Sequence, residues 1–178
     1  MPELPEVQTV VSEIGPELQG QKLWKFESKN AVTFVPNVDE FERILPGQRI
    51  ENVERRGKYI VMVLSNGFRM IIHLRMTGML SFEKIKGKEK FIRGIFTFTS
   101  VKRLYFSDIR KFGKIYLFSE KDYLEKSGMY KLGRDPFVDD FSLDFLESQF
   151  LGRKGILKNR LLDQTVIAGI GNIYADEI

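Results

Sequence analysis

Two reactive groups stand together at the start of the chain, in Met1-Pro2-Glu3-Leu4-Pro5-Glu6. Removal of Met1 makes Pro2 a secondary amine whose lone pair is free of amide resonance. Such an amine attacks an electrophilic carbon and forms an iminium, the basis of covalent amine catalysis. Glu3 then lies close enough to move a proton for that step. A plainer reading stands beside this one, with Pro2 a permissive residue behind a cleaved methionine and Glu3 a solvated charge. Basic groups cluster at three further places: Arg55-Arg56-Gly57-Lys58, Arg110-Lys111, and Arg153-Lys154 with Lys158 and Arg160. Each could grip a polyanion or simply be solvated surface near a turn.

Composition narrows the chemistry. The chain has no cysteine, which excludes disulfides and thiolate metal sites. His73 is the single histidine, so a zinc centre would need carboxylates almost alone. The net charge of +4 fits a polyanionic partner but argues for one only weakly. No stretch approaches the roughly 18 apolar residues of a membrane span. The N-terminus is acidic and lacks an apolar run, unlike a secretory signal. These features point to a cytoplasmic protein without its own metal. At 178 residues the chain is long enough for one large or two small domains and a real core.

The elements that must hold the reactive groups follow from periodicity. Pro5 suits the first turn of a helix. Val7, Val10, Val11, Ile14 and Leu18 share one apolar helix face. Gly15-Pro16 is expected to end or kink that helix. From Lys22 to Phe118 the pattern turns to strands, with Asn30 to Glu42 irregular and Asn66-Gly67 a hairpin signal. Closely spaced strands without helical crossovers predict an antiparallel sandwich or barrel, with many of the 15 phenylalanines in its core. Leu132-Gly133-Arg134-Asp135-Pro136 is turn chemistry. Beyond it the pattern is helical: Ser142 caps a helix to Phe150, another covers Ile156 to Leu162, and Asn172 caps a third.

Several stretches match one family in order. These are Pro2-Glu3-Leu4-Pro5-Glu6-Val7, Arg56-Gly57-Lys58-Tyr59, His73-Leu74-Arg75-Met76-Thr77-Gly78, Asp108-Ile109-Arg110-Lys111-Phe112-Gly113, and Leu162-Asp163-Gln164 through Gly169-Ile170-Gly171-Asn172-Ile173-Tyr174-Ala175. The chain resembles bacterial formamidopyrimidine-DNA glycosylase, which excises 8-oxoguanine and ring-opened purines. Leu4 and the Asp-x-Arg-x-Phe-Gly stretch are more similar to this branch than to its relative, endonuclease VIII. The resemblance implies an α+β fold. Residues 1–131 would form a catalytic domain of an N-terminal helix and an antiparallel β-sandwich. Residues 132–178 would form a partial helix–two-turn–helix DNA-binding domain.

The same resemblance implies roles. Pro2 matches the nucleophile that attacks C1′ and displaces the base, leaving an iminium Schiff base. Glu3 matches the residue that protonates the sugar ring oxygen, and Lys58 one used in the β,δ-elimination that cuts the strand. Met76, Arg110 and Phe112 match the residues that refill the duplex once the damaged nucleotide is flipped out. A vacated stack calls for an apolar wedge and an aromatic ring, and the orphaned cytosine for a guanidinium. By periodicity alone, Met76 and Phe112 would read as ordinary core and Arg110 as a surface ion pair. His73 and Asn172 match phosphate contacts, the latter with free N–H groups and a helix dipole to attract an anion. Glu6, Arg153, Lys154 and Lys158 are also expected in the DNA-binding surface. Phe91 stands where many members carry a DNA-contacting histidine.

The family continues past Ile178 with further helices, a lesion-capping loop and a zinc finger of four cysteines. The resemblance therefore implies a truncated chain that binds no zinc of its own. The expected partner is double-stranded DNA with oxidised purines or abasic sites, met by a monomer in the bacterial cytoplasm. Fewer cationic groups on the phosphates would impair the glycosylase/AP lyase activity. The alternatives are a noncatalytic damaged-DNA-binding fragment and a nonfunctional gene remnant.

Overall fold

The apolar run Tyr59–Leu64 explains the central architecture, because its side chains are buried on both faces of a sheet. Ile60, Met62 and Leu64 enter the main core, while Val61 turns the other way to meet Ile71 and Met129. A strand covered on both sides needs no polar alternation. In the computed structural model, which describes residues 1–84, 86–152 and 154–178, this strand lies inside one of two stacked sheets.

A helix leads the chain: α1, Leu4–Leu18. The strands are β1 (Leu23–Ser28), β2 (Phe34–Val35), β3 (Ile50–Arg56), β4 (Tyr59–Leu64), β5 (Phe68–His73), β6 (Gly78–Ser81), β7 (Ile92–Phe98), β8 (Arg103–Asp108) and β9 (Lys114–Ser119). One sheet has the order β1-β7-β8-β6, the other β2-β9-β5-β4-β3. Every pairing is antiparallel except the two-residue β2–β9 ladder. The expected α+β sandwich is therefore present, with one short parallel edge. Phe26, Phe34, Phe41 and Phe96 meet at its centre, with ring centroids 4.8 to 5.4 Å apart. Val7, Val11, Ile14 and Leu18 close the core from α1. Each such buried aliphatic side chain contributes roughly 1.5–3 kcal/mol over an exposed one.

Two expectations need correction here. Helix α1 runs through Gly15-Pro16 to Leu18. The proline forfeits one hydrogen bond in the final turn, while continuing the helix buries Leu18 completely. The Asn30–Glu42 stretch is also more regular than its pattern suggests. It holds β2 and a short helix, α2 (Val38–Ile44), whose Asn37 side chain accepts the Glu40 N–H at 2.9 Å. With only Phe41 and Ile44 buried, α2 is too short to show a helical period.

After β9 come α3 (Tyr123–Ser127), α4 (Leu143–Phe150), α5 (Leu157–Leu162) and α6 (Asn172–Glu177). Ser142 caps α4 as expected, its hydroxyl accepting the Phe145 N–H at 3.2 Å. Helices α4 to α6 enclose a separate small cluster of Leu161, Ile167 and Ala175, flanked by half-buried neighbours such as Phe141 and Leu146.

Candidate active site

The chain start is bolted to the helical region. Glu3 is 2% exposed, and its carboxylate accepts N–H groups from Gly171 at 2.7 Å, Ile173 at 3.0 Å and Tyr174 at 3.3 Å. The Leu4 N–H donates to the Gly169 carbonyl at 3.0 Å. Glycine at 171 is required by this approach: a Cβ there would lie 2.4 Å from the Glu3 carboxyl oxygen. Gln164 braces the same loop, donating to the Ile170 carbonyl at 2.7 Å and accepting the Gly169 N–H at 3.0 Å. Asn172 is thus the first residue of α6 rather than its cap, which is Gly171. The anion at this helix start is Glu3, and Asn172 itself is exposed. Glu6 is engaged at both oxygens, accepting the Glu3 N–H at 2.8 Å and the Tyr174 hydroxyl at 3.0 Å.

The Arg55-Arg56-Gly57-Lys58 turn is the second anchor, and only part of it is free cation. Arg55 is buried and makes a bidentate pair with Asp135, at 2.5 and 2.8 Å. Asp135 also accepts the Gly57 N–H at 2.7 Å, and Gly57 sits at φ +57°, where glycine is favoured. Arg56 pairs with Asp139 at 2.8 Å. Burial alone would raise the Asp135 carboxyl. The hydrogen bonds from Arg55, Gly57 and Phe137 outweigh it and hold the group below the usual carboxylate range. Lys58, by contrast, is 7% exposed and has no hydrogen-bonding or ion-pair partner among the described residues. Desolvation pushes its ammonium down, against the opposing charge of Glu3.

Lys58 lines a cavity of about 270 Å³ with Met1, Tyr59, His73, Arg75 and Lys131. His73 is 6% exposed, and its Nδ1 accepts the Arg75 N–H at 3.1 Å, which puts the ring proton on Nε2. Burial, then the charges of Arg75 and Lys58, lower it from 6.5 to about 3. His73 is therefore a neutral N–H donor at physiological pH. Tyr59 packs edge-on against it at 4.6 Å.

Met76, Arg110 and Phe112 project from two turns that Asp108 ties together. Its carboxylate accepts the Thr77 hydroxyl, the Arg110 N–H at 3.1 Å and the Gly113 N–H at 2.7 Å. Met76 is 45% and Phe112 50% exposed, so neither is core. The Arg110 guanidinium lies 4.7 Å from the Phe112 ring centroid. Arg75 and Lys111, beside these residues, take positive φ values of 56° and 60° without being glycine. Such strain persists where surrounding bonds over-determine the turn, and it concentrates at functional sites.

Lys158 is paired to Asp176, which partly neutralises it. Lys154 is exposed beside Phe150 and Arg160. Arg153 falls outside the described residues. Phe91 is half-buried, with the Lys90 ammonium 5.2 Å from its ring. Sequence reasoning misses the site roles of Asp108, Asp135, Gln164 and Tyr174. An aspartate before a turn or a proline is a turn former, but its distant partners have no local signal. Cysteine is absent from the chain, and no group of three or more His, Asp or Glu side chains placed to hold a metal ion occurs among the described residues.

Comparison with known proteins bears on this arrangement. The model of the formamidopyrimidine-DNA glycosylase N-terminal domain matches residues 1–115, and that of the H2TH domain of the same enzyme matches residues 132–178. A formamidopyrimidine-DNA glycosylase from Protochlamydia amoebophila is 41% identical over 99% of this chain and 64% of its own length. Among solved structures, a mutant Lactococcus lactis Fpg with Fapy-dG DNA superposes with a TM-score of 0.89 at 33% identity, covering 99% of this chain and 65% of that one. The L. lactis Fpg with abasic-site DNA gives 0.88 at the same identity, covering 98% and 65%. The chain thus spans about 65% of the length of the relatives it matches.

Proposed function

The chain belongs to the formamidopyrimidine-DNA glycosylase family, and from that premise we propose that its residues carry the chemistry of base-excision repair of oxidised purines. The observation that carries the reading is the fixed Glu3 carboxylate, on three backbone N–H groups, adjoining Pro2 and electrostatically coupled to Lys58, a buried residue with no ion-pair partner among the described residues. Duplex DNA bearing oxidised purines or abasic sites is the proposed substrate. The protein acts as a monomer in the bacterial cytoplasm, and its domains divide at 131/132.

With Met1 removed, the Pro2 nitrogen attacks C1′. The C1′–base bond breaks, the base leaves with the bonding pair, and an iminium forms as the sugar ring opens. Glu3 moves the proton to the ring oxygen, held in reach by the Gly171-to-Tyr174 backbone. Elimination then needs a base and a cation near the departing phosphate. Lys58 suits both needs, because desolvation increases its neutral fraction while its protonated form attracts phosphate. His73 contributes a neutral Nε2–H to a phosphate oxygen, and Arg75 and Lys131 add charge to the same cavity. Met76 and Phe112 fill the vacated stack while Arg110 reads the orphaned base. Glu6 acts by fixing Glu3 and Tyr174. Exposed Asn172 and Lys154 lie toward the phosphate backbone, with Lys158 shared with Asp176.

Borohydride trapping on an 8-oxoguanine·cytosine duplex tests this directly. The polypeptide with Met1 removed is expected to form a covalent adduct, and one retaining Met1 none. The 178 residues span about 65% of the length of the relatives they match, and trapping by this polypeptide is expected to be slower than that of a full-length relative. Absence of any adduct on either 8-oxoguanine or abasic-site DNA would overturn the enzymatic reading. Binding that survives without trapping would leave a noncatalytic DNA-binding protein.

A further inference from the structure

Gln164 is half-buried between α5 and α6, and its side-chain amide makes three hydrogen bonds within one loop. Its Nε2 donates to the carbonyls of Leu162 at 2.9 Å and Ile170 at 2.7 Å, and its Oε1 accepts the Gly169 N–H at 3.0 Å. Both amide protons are thus spent on backbone carbonyls, which fixes the orientation of the group. The first half of the loop is held by the backbone itself. Val166 and Ile167 donate to the Asp163 carbonyl, Arg134 to that of Val166, and Ala168 to that of Arg134. The second half is not. Among the described residues, the backbone groups of Gly169 and Ile170 pair only with the Gln164 side chain and the Leu4 N–H. Glycines at 169 and 171 leave this half little stiffness of its own.

The braced loop touches both parts of the candidate chemistry. On one side the Gly171 N–H donates to the Glu3 carboxylate, and Gly169 approaches Leu4 so closely that a Cβ would lie 2.5 Å from its Cδ1. On the other side lies Gly57, the residue before Lys58. A Cβ on Gly57 would lie 3.3 Å from the Ala168 Cβ and 3.6 Å from the Gly169 nitrogen. Gln164 itself lines the cavity that Lys58 lines. A shift of residues 169–171 therefore moves the donors that hold Glu3 relative to the turn that carries Lys58. The Leu4 bond belongs to the segment being positioned, which leaves Gln164 as the restraint from the helical region.

We infer that Gln164 is a positioning residue for the reaction, whose side-chain amide locks the 168–171 loop at the spacing that sets Glu3 against Lys58. The inference rests on the function proposed above, in which the two residues serve one reaction. Gln164 acts through backbone groups, so it sets the rate of the covalent step rather than the strength of DNA binding. A displacement of about 1 Å in such an arrangement costs on the order of 100-fold in rate.

The test is single-turnover trapping on an 8-oxoguanine·cytosine duplex, with protein in excess, for the wild type and Gln164→Met, both with Met1 removed. Methionine keeps the length of the side chain and removes its hydrogen bonds. The maximal rate is expected to fall about 10- to 100-fold, with the half-saturating protein concentration unchanged. Gln164→Asn, whose amide is one methylene short of its partners, should fall between the two and decides the matter if the methionine variant does not fold. A wild-type maximal rate in a folded variant would overturn the inference, as would a loss carried by the half-saturating concentration alone. Hydrogen exchange supplies a readout that needs no DNA. The Gly171, Ile173 and Tyr174 amides should exchange faster in the variants while those of Ile60 to Leu64 stay protected. Unchanged exchange would overturn the inference whatever the trapping shows. Faster exchange in the variants, with no adduct formed even by the wild type, would overturn the function it rests on and leave only the loop brace standing.

Discussion

The sandwich and the helical region are stabilised in opposite ways. Two dozen buried residues form the main core between the sheets and α1, whereas the helical region buries only a few and leaves Phe137, Leu143, Leu151, Ile156 and Leu157 largely exposed. What the helical region lacks in apolar burial it gains in polar attachment. Glu3, Asp135 and Asp139 hold it to the chain start and to the Arg55–Lys58 turn. The candidate chemistry lies on that junction. A fold of this kind can keep its sheets intact while losing the arrangement that holds Glu3 against the start of α6.

Two substitutions of similar energetic size should separate the regions. Phe96→Ala removes the ring at the centre of the aromatic cluster and should cost about 3–5 kcal/mol, lowering protection throughout. Asp135→Ala leaves Arg55 buried and unpaired, at about 3–5 kcal/mol. Its effect should be confined: hydrogen exchange should open amides of 132–178 while those of Ile60 to Leu64 stay protected. Uniform loss of protection in both variants would mean that the two regions unfold as one unit.

Acid should act on two of these residues, on His73 from a higher pH than on Asp135. An unfolded chain protonates His73 near 6.5 but the folded one only near 3. The unfolded state therefore binds more protons between these values, and stability falls as pH drops through them. The Asp135 carboxyl is depressed, so its contribution is complete above its unfolded value of 3.8 and is lost as pH falls through the folded one. Urea midpoints should decline from about pH 6.5 downward in the wild type, and His73→Gln should flatten the curve down to about 4. An unchanged curve in His73→Gln would show that the imidazole is not held neutral.

Ser142→Ala tests the weaker region more gently. Loss of the α4 cap should cost about 1 kcal/mol, seen as faster exchange in 143–150 alone. The smallest effect on stability is expected at Lys58→Met, which replaces a largely buried side chain, unpaired among the described residues, by an apolar chain of similar length. Its melting temperature should equal or exceed that of the wild type while strand cleavage is lost. A marked drop in melting temperature would give Lys58 a structural partner instead.

The sandwich was legible in the sequence because alternation and turn signals are local. Tyr59–Leu64, Asn66-Gly67 and the α1 stripe each announce their own state. Helix α2 was not legible, because seven residues with two buried positions carry too little period. The site was legible only where several short motifs coincide in a known order. Pro2, Glu3, Lys58 and His73 could be named, but the pairing of Arg55 with Asp135 spans 80 positions and leaves no local mark. The same holds for Glu3 and α6. Asn172 is a natural N-cap type, but the N-cap residue is Gly171, and the carboxylate that accepts the N–H groups there is Glu3, from the opposite end of the chain.

The central claim is that the Pro2 nitrogen is the nucleophile and Lys58 its helper. Reduction with borohydride on abasic-site DNA, followed by proteolysis and mass spectrometry, locates the bond that forms. The account predicts the sugar remnant on the Pro2 nitrogen, with Lys58 unmodified. A remnant on the Lys58 side chain, with Pro2 free, would contradict it.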